Sequence, residues 1–257
     1  MKARTKVVVV GLGEVGKPLL DLASKHHEVI GVDIAPPIGL IENVDFLHVC
    51  YPFAIKDFIG ETTRYIRMFK PAVTIINSTV AVGTTRAAAQ QTGAAVVNSP
   101  VRGKHARMLD DLRVYAKFVG AMNPKIGKLA AEHFESMGLK TKILSSPEAT
   151  ELAKLTETTY FGLMIAWAQE VERYCDRTGQ DYSEVTSFYD EIKFFPPVKY
   201  FPGTIGGHCV MPNIEILSKS EDSAILKAIQ SSNRAKIERE SSKTVGDGDR
   251  QTAGSRR

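Results

Sequence analysis

Lys6-Val7-Val8-Val9-Val10-Gly11-Leu12-Gly13-Glu14-Val15-Gly16 is the stretch on which the reading of this chain turns. Lys6–Val10 is a β-branched apolar run, the pattern of a parallel strand buried on both faces. The glycines follow at once, and Lys17-Pro18-Leu19-Leu20-Asp21-Leu22 reads as a helix. A second strand, Glu28–Val32, ends at Asp33. Strand, glycine turn, helix, strand and acid form the order of a dinucleotide-binding unit. In that unit the first glycine allows a tight turn, the second leaves room for a pyrophosphate, and the third lets helix and strand pack closely. The helix N-terminus attracts the pyrophosphate charge. Asp33 lies twenty residues beyond Gly13, where a carboxylate binds the adenosine ribose hydroxyls. Its charge repels a 2′-phosphate, so NAD is the expected cofactor rather than NADP. The expected cofactor residues are Gly11, Leu12, Gly13, Glu14, Val15, Gly16 and Asp33. The alternative is a glycine-rich turn in an unrelated α/β protein.

Eleven residues, Ile34 to Val44, lead to the next strand, Asp45–Tyr51. That is short for a helical crossover, and Pro36 and Pro37 argue against a helix there. Phe58–Phe69 reads as a helix, Ala72–Ile76 as a strand, Thr84–Gln91 as a short helix and Ala94–Val97 as a further strand. Tyr115–Gly120 and Lys140–Leu144 read as strands around a helix at Pro124–Met137. Ligands of open α/β sheets bind at the carboxyl ends of the strands. Tyr51, Pro52, Ser78 and Thr79, in the loops after two of these strands, therefore extend the expected cofactor site. The polar loop Asn98-Ser99-Pro100-Val101-Arg102-Gly103-Lys104 lies on the same edge. Its Arg102 and Lys104, with His105, either hold an anionic substrate or form a solvated loop.

Pro147–Gly179 is the longest helical stretch, with Gly179 as its stop. Leu152, Leu155, Thr159, Leu163 and Ala166 make one stripe; Tyr160, Met164, Trp167, Val171 and Tyr174 make another. Two apolar stripes predict burial on both sides, and one small domain covers only one of them. A homodimer through helix 147–179 is the expected arrangement. Ser183–Tyr189 reads as a short helix, and Asn213–Ser218 as the start of the last apolar helix.

Between them stands Pro202-Gly203-Thr204-Ile205-Gly206-Gly207-His208-Cys209-Val210-Met211-Pro212-Asn213. Two adjacent glycines deliver a histidine and a cysteine to a tight turn. A cysteine so placed is a candidate nucleophile, and the alternative is a packed core thiol. His208 either shapes the turn or binds substrate. Cys50 and Cys175 read as core fillers.

Composition narrows the classes. A chain of 257 residues, 43% hydrophobic, suits one large domain or one and a half. No apolar run approaches the ~20 residues of a membrane span, and no signal-peptide core follows the basic N-terminus. A cytoplasmic protein that neither crosses nor binds a membrane is expected. Three widely spaced cysteines indicate neither a disulfide framework nor a metal site. The net charge of +4 is mostly local, because Arg234–Arg257 holds seven Lys/Arg against four Asp/Glu. That favours a solvated, disordered basic tail over a nucleic-acid arm. The expected organisation is α/β: a Rossmann-type doubly wound parallel sheet over 1–145, a helical dimerisation domain carrying the cysteine turn over 146–233, and a disordered tail over 234–257.

Taken together, these motifs resemble the nucleotide-sugar dehydrogenases that act on UDP-glucose, UDP-N-acetylhexosamines and GDP-mannose. Gly11-Leu12-Gly13-Glu14-Val15-Gly16-Lys17-Pro18 is similar to their opening, with Glu14 where an aromatic is usual. Asn77-Ser78-Thr79-Val80-Ala81-Val82-Gly83-Thr84-Thr85 resembles their Ser-Thr-Val loop. Glu151-Leu152-Ala153-Lys154-Leu155 and Glu170 resemble their central helix, and Ile205-Gly206-Gly207-His208-Cys209 their nucleophile turn. The resemblance implies that a nicotinamide takes hydride from a primary alcohol, such as a sugar 6-hydroxyl. Cys209 then traps the aldehyde, and a second hydride transfer gives a thioester that water hydrolyses. Lys154 would stabilise the oxyanion or relay the proton.

The chain departs from that pattern at four places. No glutamate stands near Pro100-Val101, where the family has an acid. Thr158 replaces an asparagine and Asn213 an aspartate. Nothing long enough to fold as the family's third, nucleotide-binding domain follows Lys227. Asn213 does not titrate, whereas Thr158 still offers a hydroxyl, so hydrolysis is the half-reaction most weakened. A β-hydroxyacid dehydrogenase using Lys154 without covalent catalysis is a second enzyme reading, because Asn98–Gly103 resembles that group's loop. A non-catalytic NAD-binding relative is a third.

Overall fold

The computed structural model describes residues 5–34, 41–103, 107–192, 200–207, 209–220 and 222–253, with side chains through residue 242. Lys104, His105 and His208 lie outside the described residues. The chain divides into two compact units, 1–154 and 155–257.

Unit one is built on a seven-stranded sheet in the order β2-β1-β3-β4-β5-β6-β7. The strands are β1 (Lys6–Val10), β2 (Glu28–Val32), β3 (Phe46–Val49), β4 (Val73–Ile76), β5 (Val96–Asn98), β6 (Lys117–Ala121) and β7 (Thr141–Leu144). Val7, Val8, Val9 and Val10 are at most 2% exposed, so the unbroken apolar run does mark a strand covered on both faces. Successive residues divide between two cores. Val7, Val9, Phe46 and Ile75 pack with α1 (Gly16–Ala23) and α5 (Pro124–Ser136). Val8, Val10, Leu47, Val49 and Ile76 pack with α2 (Phe58–Phe69) and α3 (Thr84–Thr92). Asp57 caps α2 by accepting from Gly60 N at 2.8 Å.

The expectation of a parallel sheet holds for β1–β5 and is corrected at the last two strands. β6 runs antiparallel to β5, with Asn98 opposite Gly120, and β7 runs parallel to β6. The chain leaves β5 at the carboxyl edge, forms the short helix α4 (Met108–Val114), and re-enters from that same edge. Antiparallel neighbours need no crossover to do this. Lys117, the first residue of β6, therefore lies at the ligand-binding edge. The sequence reading missed α4.

Unit two contains most of α6 (Pro147–Thr178), followed by α7 (Tyr182–Ser187), a 3-10 turn at Phe188–Glu191, α8 (Val210–Ser218) and α9 (Ala224–Ala253). Its core is Leu155, Ala166, Ile205, Val210, Ile214, Leu217, Leu226 and Ile229. The expected disordered tail is corrected: α9 continues as helix through Ala253. Ion pairs with α6 hold the part of α9 at Lys236, whose Nζ lies 2.6 Å from Glu172, and at Arg239, which pairs with Asp176. Among the described residues no helix is long and apolar enough to cross a membrane.

Candidate active site

The strand order reverses at β1, which has β2 on one side and β3 on the other. Such a switch point opens a crevice at the carboxyl edge, and the glycine turn occupies it. Gly11 has φ +87°, and a Cβ there would lie 2.7 Å from Tyr51 N. A Cβ on Gly16 would lie 1.8 Å from Gly11 O, whereas one on Gly13 would meet nothing within 4 Å. So Gly11 makes the turn, Gly16 makes the helix contact, and Gly13 leaves its backbone open to a ligand. Gly11 N donates to Val32 O at 2.8 Å, which brings the residue before Asp33 to the same edge. Asp33 is exposed. The crevice thus fits a dinucleotide: a backbone open to pyrophosphate beside a carboxylate one strand away.

The loops after β3 and β4 are tied together, because Ser78 Oγ donates to Tyr51 O at 2.6 Å. Glu151 joins the second loop to α6. Its carboxylate accepts from Gly83 N at 2.7 Å, Thr85 N at 2.9 Å and Thr85 Oγ1 at 2.6 Å. Burial raises the Glu151 pKa, opposed by these donors. Lys154 is the next residue on that helical face, three positions on. Arg102 lies over two rings, 5.2 Å from the Tyr115 centroid and 5.7 Å from that of Phe118. Val101, where the resembled family carries an acid, is packed into the core.

In unit two, Cys209 is the N-cap residue of α8 and is half-buried. Gly207 before it has φ +79°, a conformation that side-chain-bearing residues rarely take. A Cβ on Gly162 would lie 2.8 Å from Val210 Cγ1, so this glycine lets the first turn of α8 seat against α6. Asn213 and Thr158 are brought together: Asn213 Nδ2 donates to Thr158 Oγ1 at 3.0 Å, and Thr158 Oγ1 donates to Leu155 O at 3.1 Å. The Thr158 hydroxyl proton is thereby directed to the helix carbonyl. Cys50 and Cys175 are buried, and burial pushes the Cys50 thiol up to about 12.

Three features escaped the sequence reading: the Glu151 carboxylate cap, a buried amide pair at Gln169 and Asn233, and a polar chain through the sheet. In the last, Lys117 Nζ donates to Ser99 O at 2.5 Å and Asn77 Oδ1 at 3.3 Å. Asn77 Nδ2 lies 3.0 Å from His48 Nδ1, and His48 Nε2 lies 2.9 Å from His133 Nε2. Glu151 stood inside a quoted motif, which was its only signal. Asn233 and the histidines carry none, because isolated polar residues in apolar or charged stretches have no period. Among the described residues no group of three His, Cys, Asp or Glu side chains is placed to hold a metal.

The sheet and its crevice define an α/β protein of the dinucleotide-binding kind. Comparison with known proteins goes further: the central-domain model of the UDP-glucose/GDP-mannose dehydrogenase family matches residues 148–235. The chain is 24% identical over 258 residues to the UDP-N-acetyl-D-mannosamine dehydrogenase of Methanococcus vannielii, covering 80% of this chain and 59% of that protein. It therefore spans about three fifths of that relative's length. Its fold is similar to the structure of UDP-D-ManNAc dehydrogenase from Pyrococcus horikoshii, with TM-score 0.76 and 20% identity over 90% of this chain and 68% of the other. It is also similar to 3-hydroxyisobutyrate dehydrogenase of Mycobacterium tuberculosis, with TM-score 0.69 and 15% identity over 90% and 93% of the two chains. The last two likenesses concern the fold alone.

Proposed function

We propose that this chain oxidises the alcohol of a nucleotide sugar with NAD, trapping the aldehyde on Cys209. The observation that carries the reading is the Gly206-Gly207 turn. It presents a half-buried cysteine at the start of α8, inside the segment that matches the family's central domain. NAD, held by the Gly11–Gly16 turn and Asp33, supplies the hydride acceptor. Cys209 adds through Sγ to the aldehyde carbon, giving a thiohemiacetal. Lys154 stabilises the developing oxyanion; losing one such donor costs about 3–4 kcal/mol by analogy with an oxyanion hole. Ser78 and Thr79 line the cofactor edge, while Arg102, Lys104, His105 and His208 are assigned to the anionic substrate.

Cofactor choice tests the first half of this reading. NADH should bind with fluorescence enhancement and in preference to NADPH, because the Asp33 carboxylate would repel a 2′-phosphate. Asp33→Ala is expected to weaken NADH about tenfold and to narrow the preference. A wild-type protein that prefers NADPH, or an Asp33→Ala variant that binds as the wild type does, would remove the cofactor assignment.

The proposal extends to a homodimer through α6. Leu155, Ala166 and Val171 are buried, yet Tyr160, Trp167 and Tyr174, at seven-residue spacing, are 51%, 50% and 45% exposed. A stripe of large rings in contact with water is the mark of an interface. Sedimentation at micromolar concentration should give a dimer, and Trp167→Glu a folded monomer. A wild-type monomer, or a Trp167→Glu dimer, contradicts this.

A further inference from the structure

We infer that Asn233 and Gln169 are positioning residues that clamp the backbone upstream of Cys209 and hold the thiol where the aldehyde forms. This inference rests on the proposed role of Cys209. Asn233, on α9, is 3% exposed and presents its amide to one residue of the turn. Ile205 N donates to Asn233 Oδ1 at 2.7 Å, and Asn233 Nδ2 donates to Ile205 O at 2.9 Å. Both backbone groups of a buried residue in an irregular segment are thus satisfied by one side chain. Gln169, on α6 and fully buried, donates from Nε2 to Gly203 O at 2.8 Å and to Asn233 Oδ1 at 3.4 Å.

The orientation of these amides follows from a donor-only group. Arg173, paired with Glu170, donates from Nη2 to Ser232 Oγ at 3.0 Å. Of the two acceptors then facing the Ser232 hydroxyl proton, Gln169 Oε1 at 2.9 Å is nearer than Ala166 O at 3.3 Å. That leaves Gln169 Nε2 facing the turn, and Asn233 Oδ1 as the acceptor for both Gln169 and Ile205. Gln169 Nε2, Ile205 N and Ser232 Oγ each face an acceptor in this chain.

The position of the clamp gives it its consequence. Gly206 and Gly207 separate Ile205 from His208 and Cys209. A Cβ on either glycine would meet nothing within 4 Å, so neither neighbours nor side chains restrain this pair. Glycine pairs sample many backbone conformations unless the ends are fixed. Here Ile205 is fixed by Asn233 on one side, and Val210 is fixed against Gly162 on the other. The backbone that carries Cys209 is thus anchored on both sides of the glycine pair, and losing the Asn233 anchor loosens its upstream side.

The test uses the whole chain and compares wild type with Asn233→Leu, Asn233→Asp and Gln169→Leu. Hydrogen exchange should quicken at least tenfold at the Ile205 amide in Asn233→Leu. Asn233→Asp retains the acceptor and should recover part of that protection. Cys209 alkylation should rise severalfold while Cys50 and Cys175 stay protected, and NADH affinity should stay unchanged. With a substrate, kcat should fall tenfold or more with KM for NAD unchanged: the thiol is easier to reach and less productive. A merely structural role predicts that all three cysteines label together, and that result overturns the inference. Unchanged Ile205 protection overturns it as well. If Asn233→Leu does not fold, Gln169→Leu decides, since it leaves both Asn233–Ile205 hydrogen bonds in place and removes the Gly203, Asn233 and Ser232 contacts of one amide. A wild type that turns over no nucleotide sugar sinks the proposed reaction, while exchange and labelling still decide the clamp.

Discussion

Cys209→Ser is expected to lower acid formation from a nucleotide sugar by roughly a thousandfold or more, the scale for loss of a covalent nucleophile, with NADH affinity unchanged. The chemistry sets that size. A serine hydroxyl is almost wholly protonated at neutral pH and adds poorly to an aldehyde without a base beside it. The pairing of Asn213 with Thr158 provides no titrating base near the turn. The same pairing predicts how the wild type behaves. Thioester formation needs no base for water, but thioester hydrolysis does. A burst of NADH followed by a slow steady phase is therefore expected, with a covalent adduct on Cys209 visible by intact mass. Asn213→Asp places a carboxylate beside the Thr158 hydroxyl and should speed the slow phase. A Cys209→Ser enzyme that completes both oxidations would show that the cysteine never carried the reaction.

Local pattern explains what was legible before the fold was known. Val7–Val10, the spacing of Gly11, Gly13 and Gly16, and Asp33 are all set within one contiguous stretch. The structure places them as the spacing predicts, down to the open space at Gly13. The reversal of β6 was not legible, because strand direction depends on where the chain re-enters the sheet and leaves no period in Lys117–Ala121. The α9 helix escaped for a related reason. Residues after Ala235 look polar and aperiodic, and the ion pairs of Lys236 and Arg239 are with Glu172 and Asp176 some sixty residues away. Among candidate residues, Cys209 is singled out in the sequence by its glycines. Glu151, Gln169 and Asn233 act through backbone groups distant in sequence, and such partners have no local signature.

Acid should destabilise this protein steeply, and His133→Phe should blunt that sensitivity. Lys117 in its charged form is only a donor. It donates to Asn77 Oδ1, so Asn77 Nδ2 faces His48 Nδ1 and makes that nitrogen an acceptor. The His48 proton is therefore on Nε2 and points at His133 Nε2. The His133 proton is then on Nδ1, which finds no acceptor among the described residues. Protonating His133 would set its Nε2–H head-on against the His48 Nε2–H at 2.9 Å, and protonating His48 would turn a new Nδ1–H against the Asn77 amide at 3.0 Å. Burial, and then the charge of His27, lowers the His133 pKa from 6.5 to about 3. Burial, followed by His133, Lys117 and His27, holds His48 well below its ordinary value. Both groups are depressed bases: below pH 6.5 the unfolded chain takes up protons that the folded chain refuses. Stability is therefore lost as pH falls from about 6.5 toward 3, on the order of 5 kcal/mol from His133 alone. Lys117 acts on the other side of neutrality. Burial first, with Lys154 adding to it and Cys50 opposing, lowers its pKa from 10.5 to about 7. Between those values the unfolded chain again holds the extra proton, so stability rises with pH toward 10.5. His133→Phe keeps the stacking on Phe46, whose ring centroid is 3.9 Å away, but strips His48 Nε2–H of its acceptor. That substitution should cost about 1–3 kcal/mol at pH 7 and leave a shallower fall toward pH 4. Urea midpoints measured from pH 4 to pH 8 decide it: parallel pH dependences for wild type and variant would mean that the histidine pair stays out of the acid transition.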